Sequence, residues 1–456
     1  MPMKNKILIA NRGEIALRVI RAAKELGIET VAVYSLADEQ SLHVKLADEA
    51  ICIGGHRSKD SYLNMNSVLS AAISTGCNAI HPGYGFLSEN SEFVEMVERC
   101  QIQFIGPNSK TIAMIGDKSS ARAIAKSCGV PIVEGSDGIL EDADSGLKIA
   151  KKIGYPVMIK ASSGGGGRGI AIVRSDDEFL SAFERTSLEA ETSFGDKSLY
   201  IEKFIESPRH IEIQIIADKS GNVVHLFERD CSMQRRNQKM IEETPSPILN
   251  ELLRRKIGNA AIKLAKAINY VNAGTMEFLV DSKGNFYFIE MNTRIQVEHP
   301  ITEAITGIDL VKEQIRIAYG KELSFKQRDV KINGHAIECR INAEDPMKGF
   351  MPTPGKIENI LFPGGIGIRL DTHIYPGYEV PPFYDSMIAK LIVHAPTRKE
   401  AIKKMRVALE QFVIEGISTN IEYQYLIMHN PDFIKGQYDT GFIARFNTLV
   451  EAESRE

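Results

Sequence analysis

Cysteine is sparse: Cys52, Cys77, Cys100, Cys128, Cys231 and Cys339 stand singly, with no CxxC pair and no zinc-ligand spacing. That pattern excludes a disulfide scaffold and a zinc module, and the thiols read as free groups in a reducing compartment. Long apolar runs are also missing, and none approaches the ~20 residues needed to span a bilayer. The N-terminal stretch carries one apolar strand, Lys6 to Ala10, followed by charges. This is no secretory leader, so a cytoplasmic location is expected. Neither sign of charge dominates: Lys plus Arg total 55 and Asp plus Glu 59, a net charge of −4. A nucleic-acid sleeve and a polybasic membrane anchor are therefore not expected. What is present is an ordinary globular balance, 43% hydrophobic and 25% charged, on 456 residues. At ~100–200 residues per domain, two to four domains are expected.

Over the first ~115 residues, short apolar runs alternate with helical patterns. Lys6 to Ala10, Thr30 to Tyr34, Cys77 to Ile80 and Gln103 to Ile105 read as strands, and Glu14 to Leu26 as a helix stopped by Gly27. Such alternation predicts a parallel, Rossmann-like sheet. The first βα turn, Ala10 to Glu14, holds one glycine and no GxGxxG, which disfavours a dinucleotide there. The loop His81 to Glu89 reads either as a tight connection or as a site loop at a strand's carboxyl end.

From ~116 the texture changes. A helix is predicted over Lys118 to Cys128, closed by Gly129 and Pro131. A small α+β unit follows over about 132–204, with strands Tyr155 to Lys160 and Ile170 to Val173. Further strands are predicted at His210 to Ile216, Val223 to Phe227, Thr275 to Val280 and Phe286 to Glu290. The last third has many Gly/Pro turns and ends in a long helix around Lys399 to Val413, before a charged tail. The expected division is 1–115, 116–330 with a lid at about 132–204, 331–446, and a tail 447–456.

Ser162 to Gly169 contains five glycines between two strands. Such a loop lets backbone N–H groups cradle phosphates, although no Walker-type Gly-Lys-Ser/Thr follows. The bland alternative is a hairpin with no ligand; Lys160 on the preceding strand favours the phosphate reading. If Asp281 to Phe286 closes a hairpin with the four-residue loop Ser282 to Asn285, Glu277 faces Glu290 and Asn292 shares their side. Facing carboxylates repel unless compensated, and a hard cation such as Mg²⁺ compensates them. In extended form Arg294, Gln296 and Glu298 share one face, either as a salt-bridged edge or as an anion site with a general base. The charge run Glu228 to Lys239, with Arg229, Arg235, Arg236 and Lys239, reads as a solvated face or, near phosphate, as an anion clamp.

These motifs together resemble the ATP-grasp superfamily and, within it, the biotin carboxylases. The residues are Ala10 to Ala16, His81 to Asn90, the flap Lys160 to Gly169, Glu228 to Ser232 and Phe288 to Pro300. Gly334 to Asn342 and Tyr384 to Met387 extend the match, which runs from about Lys4 to Phe446. The resemblance implies α/β and α+β architecture: a Rossmann-like N-terminal domain, an ATP-grasp domain with a mobile glycine-rich lid, and a mixed C-terminal domain. It implies ATP-dependent carboxylation of biotin by bicarbonate through carboxyphosphate. ATP phosphates would be held by Lys118, Lys160, Gly166 and Gly167, and the adenine by Glu202 and the segment Lys203, Phe204, Ile205, with Leu279 beside it. His210, Gln234 and Asn237 would contact ribose and phosphates. Glu277, Glu290 and Asn292 would bind Mg²⁺, with Mn²⁺ as a substitute. Arg294, Gln296 and Val297 would fix bicarbonate, Glu298 would take its proton, and Lys239 would stabilise carboxyphosphate. Arg340 would steady the biotin enolate near Tyr84.

One position departs from the family. Asn237 stands where a histidine is common, and Asn cannot carry charge near neutral pH. A biotinyl acceptor of the Ala-Met-Lys-Met kind is missing; the nearest string, Lys403 to Met405, falls in a predicted helix. The resemblance thus implies a stand-alone biotin carboxylase that works on a biotin carboxyl carrier protein with carboxyltransferase subunits, commonly a homodimer and commonly part of acetyl-CoA carboxylase. Other carriers, serving pyruvate or propionyl-CoA systems, and other ATP-grasp ligases are the alternatives.

Overall fold

Apolar runs at both faces of the N-terminal strands produce a sheet buried on both sides. The fold is that of a computed structural model, described over residues 5–136, 138–162 and 169–453. Strands β1 (Lys6–Ile9), β2 (Glu29–Ser35), β3 (Glu49–Gly54), β4 (Ala79–His81) and β5 (Gln103–Phe104) form a parallel sheet in the order β3-β2-β1-β4-β5. The order reverses between β1 and β4, so the loops after these two strands meet in a crevice at their carboxyl ends. Asn11 joins them by donating to the carbonyls of Pro82 and Tyr84, each at 2.7 Å. A side chain at Gly83, whose φ is +63°, would strike the Asn11 amide at 2.8 Å, so the crossing demands glycine.

The region of the predicted lid contains β6 (Val157–Ala161), β7 (Ile170–Val173) and β8 (Leu199–Lys203), antiparallel in the order β7-β6-β8. Val157, Ile159, Val173 and Ile201 bury against Phe179 and Ala182 of the helix Asp176–Phe194. Gly166 and Gly167 lie outside the described residues.

The remaining long strands share one eight-stranded sheet. They are β9 (Arg209–Ala217), β10 (Val223–Arg235), β11 (Gln238–Thr244), β12 (Asn272–Val280), β13 (Phe286–Asn292), β14 (His335–Asn342), β15 (Ile368–Thr372) and β16 (Met387–Ala395). Their order is β13-β12-β9-β10-β11-β14-β16-β15, so the sheet runs on past residue 330 into the last third. On β9, Ile211, Ile213 and Ile215 join the core beneath the helix Glu251–Ala267, while the alternate residues His210, Glu212 and Gln214 point to the opposite, polar face.

Several expectations change. The charge run 228–239 is no solvated face: it forms the end of β10, a two-residue turn and the start of β11. The turn residues Arg236 and Asn237 have φ of 50° and 64°. A tight hairpin of this type wants left-handed residues, and Asn adopts that backbone at least cost among non-glycine residues. The β12–β13 connection has a three-residue loop, because Asp281 and Asn285 pair. A bulge at Ile289 then adds back the missing residue, so Glu277 still faces Glu290. Arg294, Gln296 and Glu298 do not continue the strand; they lie in an irregular segment, Arg294 in a bend and Glu298 in a turn, that leads into the helix His299–Thr306. The helix Arg398–Gln411 does not end the last third, for a short strand and the helices Ile421–His429, Pro431–Lys435 and Phe442–Glu453 follow it.

Candidate active site

A cleft of about 1300 Å³ opens between the three-stranded sheet, the polar face of the large sheet and the β1/β4 crevice. Its floor is built rung by rung. Arg229, Glu212, Glu277 and Glu290 are direct partners across β10, β9, β12 and β13, three acids in line with one arginine. Arg229 is wholly buried and binds Glu212 at 2.5 Å, with Gln214 and Gln296 each at 2.7 Å. It is therefore an internal brace and no anion clamp. Arg235 turns away onto the Phe350 ring, and Arg236 is exposed at the hairpin tip.

Lys239 of β11 completes the floor. Its ammonium lies 2.6 Å from Glu212, 2.7 Å from Glu298 and 3.1 Å from Glu277. Burial alone would raise the Glu298 carboxyl, but Lys239, Arg340 and Arg229 hold it well below the usual carboxylate range. Glu277 follows the same logic: burial is outweighed by Lys239 and by His210, whose Nε2 lies 2.9 Å away. Burial pushes the Cys231 thiol well up, with Glu212 adding to it, so this cysteine is an inert neighbour 3.9 Å from Glu298.

Arg340 reaches the cleft from β14, donating to Glu242 at 2.6 Å and to Glu298 at 3.0 Å. Glu242 faces Glu338 directly across the β11–β14 ladder. Burial raises Glu242 to about 7, Arg340 opposing and Glu298 adding. Glu338 is pushed well up by burial, and neither of its oxygens has a hydrogen-bond partner among the described residues.

A hard cation fits the edge of this floor. Glu277 and Glu290 offer carboxylate oxygens on one rung, and Asn292 stands two residues along β13 on the same face and donates to Glu277 at 2.9 Å. Glu290 is 42% exposed, with Lys118 3.6 Å away. Arg294 is held at 2.7 Å by Glu89, which also accepts from the Thr293 amide. The loop after β4 is thus a site loop, contributing Tyr84 to the wall and Glu89 to the support of Arg294. Tyr84 donates to Glu14, and Gln296 donates to Glu277 at 2.9 Å.

The other end of the cleft is more apolar. Met158, Ile170, Phe204, Ile205, Leu279 and Ile289 line it. Glu202 is paired there with Lys160 at 2.5 Å and with Arg122. Lys203 spends its ammonium on the carbonyls of Gly154 and Tyr155, at 2.8 and 2.9 Å, leaving its backbone to the cleft. His210, Gln234, Asn237 and Val297 also line the cavity. Residues that sequence reasoning did not single out are Glu212, Arg122, Glu242, Glu338 and Lys390. Only Lys390 left a signal, a lone lysine in the otherwise apolar run Met387 to Val393.

A three-stranded sheet over a charged β floor, enclosing a long cleft with facing acids at its edge, defines the ATP-grasp class of ligase. Models of the biotin carboxylase N-terminal domain, the carbamoyl-phosphate synthase L chain ATP-binding domain and the biotin carboxylase C-terminal domain match residues 3–112, 117–326 and 338–445. Biotin carboxylase 1 of Bacillus subtilis is 54% identical over 448 residues, 98% of this chain and 100% of that protein. A pyruvate carboxylase subunit of Methanothermobacter thermautotrophicus is 54% identical over 100% of this chain and 92% of its own. Among solved structures, the biotin carboxylase domain dimer of Hydrogenobacter thermophilus 2-oxoglutarate carboxylase, in complex with MgADP, ADP and bicarbonate, superposes with a TM-score of 0.92 at 53% identity, covering 98% of both chains. The chain belongs to the biotin carboxylase family, enzymes that carboxylate biotin at the expense of ATP. Among the described residues no helix is long and apolar enough to cross a membrane.

Proposed function

We infer that the cleft binds ATP and bicarbonate and carboxylates biotin carried by a separate carrier protein. The observation that carries this reading is Glu298, held between Lys239 and Arg340 at 2.7 and 3.0 Å, beside the rung of Glu277 and Glu290. Adenine enters the apolar end between Phe204, Ile205 and Leu279, with Glu202 and the Lys203 backbone at its edge. Lys118 and Lys160 meet the phosphates, Lys160 leaving Glu202 to do so; Gly166 and Gly167 belong to the same proposal. His210, Gln234 and Asn237 face the ribose and phosphates. Glu277, Glu290 and Asn292 would hold Mg²⁺, or Mn²⁺ in its place, which supplies charge neutralisation for the phosphates when bound.

Arg294, Gln296 and the Val297 backbone orient bicarbonate, and Glu298 accepts its proton as its oxygen attacks the γ-phosphate. Lys239 stabilises the negative charge on the carboxyphosphate and its transition state. After breakdown to CO₂ and phosphate, the phosphate takes the biotin N1 proton, Arg340 balances the charge on the resulting biotin anion as it captures CO₂, and Tyr84 stands on the neighbouring wall. Positioning and fixed charge supply most of the acceleration in such a phosphoryl transfer.

The proposed setting is the first half-reaction of acetyl-CoA carboxylase, leading to malonyl-CoA for fatty acid synthesis. It comprises a cytoplasmic homodimer, a biotin carboxyl carrier protein and carboxyltransferase subunits. The domain borders 1–115, 116–330 and 331–446 are part of the same reading. A second setting, within a pyruvate or 2-oxoglutarate carboxylase, is supported by relatives of equal identity. The experiment is ADP release with and without bicarbonate and free biotin. Bicarbonate-dependent release stimulated by biotin is the expected result; release indifferent to bicarbonate would overturn the proposal. Reconstitution with each carboxyltransferase then assigns the acceptor.

A further inference from the structure

Lys390 sits at the centre of β16 with its side chain wholly buried. Taking an ammonium out of water is costly, and a buried ion pair is weak evidence of a contribution to stability. The adjacent strand residues Ala389 and Leu391 are apolar and turn to the opposite face, so Lys390 alone carries charge from this part of the strand into the polar side of the sheet. Its ammonium donates to the Val297 carbonyl at 2.8 Å and to Glu14 at 3.0 Å, with Asp371 at 4.0 Å.

Two of these contacts, Val297 and Glu14, line the cleft. Lys390 is the direct partner of Arg340 on one side and of Asp371 on the other, so the three share a rung and a face. Glu14 lies in the first turn of the helix Gly13–Glu25 and accepts from Tyr84. Val297 lies in the irregular turn between Gln296 and Glu298, where no ladder fixes the peptide plane. The Gln296 carbonyl is held by His299 Nδ1 at 2.8 Å, and the next carbonyl, that of Val297, by Lys390. Fixing that carbonyl sets the peptide joining Val297 to Glu298.

We propose that Lys390 is a positioning residue: by holding the Val297 carbonyl it sets the Val297–Glu298 peptide, and with it the placement of Glu298 towards bicarbonate, and it ties that turn, through Glu14, to the Tyr84 wall. The inference rests on the reading of the 294–298 turn as the bicarbonate site. A merely structural lysine would neutralise Glu14 and Asp371 and leave bicarbonate affinity alone.

Two variants separate these roles. Lys390→Met removes the donor, and Lys390→Met/Glu14→Gln also removes the acid left behind. Misplacement on the ångström scale costs about 10²-fold; the bicarbonate KM is expected to rise about 10–100-fold in both variants, with the ATP KM within about twofold of wild type. A wild-type bicarbonate KM in the folded double variant would overturn the proposal. So would a parallel rise of both KM values, or a failure of both variants to fold, since each would mark Lys390 as serving the fold. Wild-type ADP release that ignores bicarbonate would instead sink the reading of the turn, so the two failures are distinguishable.

Discussion

Lys239 Nζ stands 2.7 Å from Glu298 Oε1 while also touching Glu212 and Glu277 at 2.6 and 3.1 Å. One ammonium thus joins the proposed base to the floor acid and to an acid of the proposed metal rung. Cations surrounding Glu298 keep it ionised, but they also make it a weak base until an anion enters and competes for them.

Lys239→Met removes the first-named of those cations and lets burial raise the Glu298 carboxyl. The acid limb of bicarbonate-dependent kcat/KM is then expected to move to higher pH, because the base stays protonated further up the scale. The rate should fall about 10²-fold or more, the scale of removing one charge-stabilising donor. A pH–rate profile checks both; an unmoved acid limb would contradict the coupling.

Glu290→Gln targets the exposed half of the acid pair. Its side chain is 42% exposed, so thermal stability should change little. The Mg²⁺ concentration needed for half-maximal turnover should rise at least about 10–100-fold, the range already typical of outer-shell changes at metal sites. Magnesium titration of ADP release measures it, and wild-type kinetics would refute the assignment.

Arg340→Ala should slow biotin carboxylation more than bicarbonate-dependent ATP hydrolysis. It also strips Glu242 of the guanidinium that pairs it, a loss of about 3–5 kcal/mol for a broken buried pair. Arg340→Ala/Glu242→Gln is expected to recover most of that stability without recovering carboxylation. Chemical denaturation and the two rates together separate fold from chemistry; equal loss of both rates would count against the biotin role.

Glu338→Gln addresses the acid that faces Glu242 across the ladder. In the fold its carboxyl is raised well above the ordinary 4.5 by burial, Lys390 opposing and Glu242 adding. Its contribution to stability is complete below that ordinary value and is lost as pH rises, at up to about 1.4 kcal/mol per unit, because the native state retains a proton that the unfolded state releases. The variant should gain on wild type in melting temperature as pH rises above about 5. A gap that does not widen would contradict the buried neutral acid.

Much of the site was readable because its chemistry is local in the chain. The alternation of apolar runs anticipated the parallel sheet. The acid pair at Glu277 and Glu290 was readable for a partly wrong reason: the loop is one residue shorter than expected, and a bulge at Ile289 restores the register. Charge density misled at Glu228 to Lys239, where a fully buried Arg229 and a left-handed turn at Asn237 lie inside a run that composition assigns to the surface.

Sequence by itself determined most strand and helix types, the hairpin bearing two acids and the family, since periodicity, turn chemistry and contiguous motifs are properties of neighbours along the chain. Tertiary structure alone decided the rung Arg229–Glu212–Glu277–Glu290, the grip of Lys239 and Arg340 on Glu298, and the reach of Lys390 to Val297. The physical reason is the strand order β13-β12-β9-β10-β11-β14-β16-β15. Side chains far apart in sequence become neighbours through long-range pairing and burial, and only then do their charges act on one another.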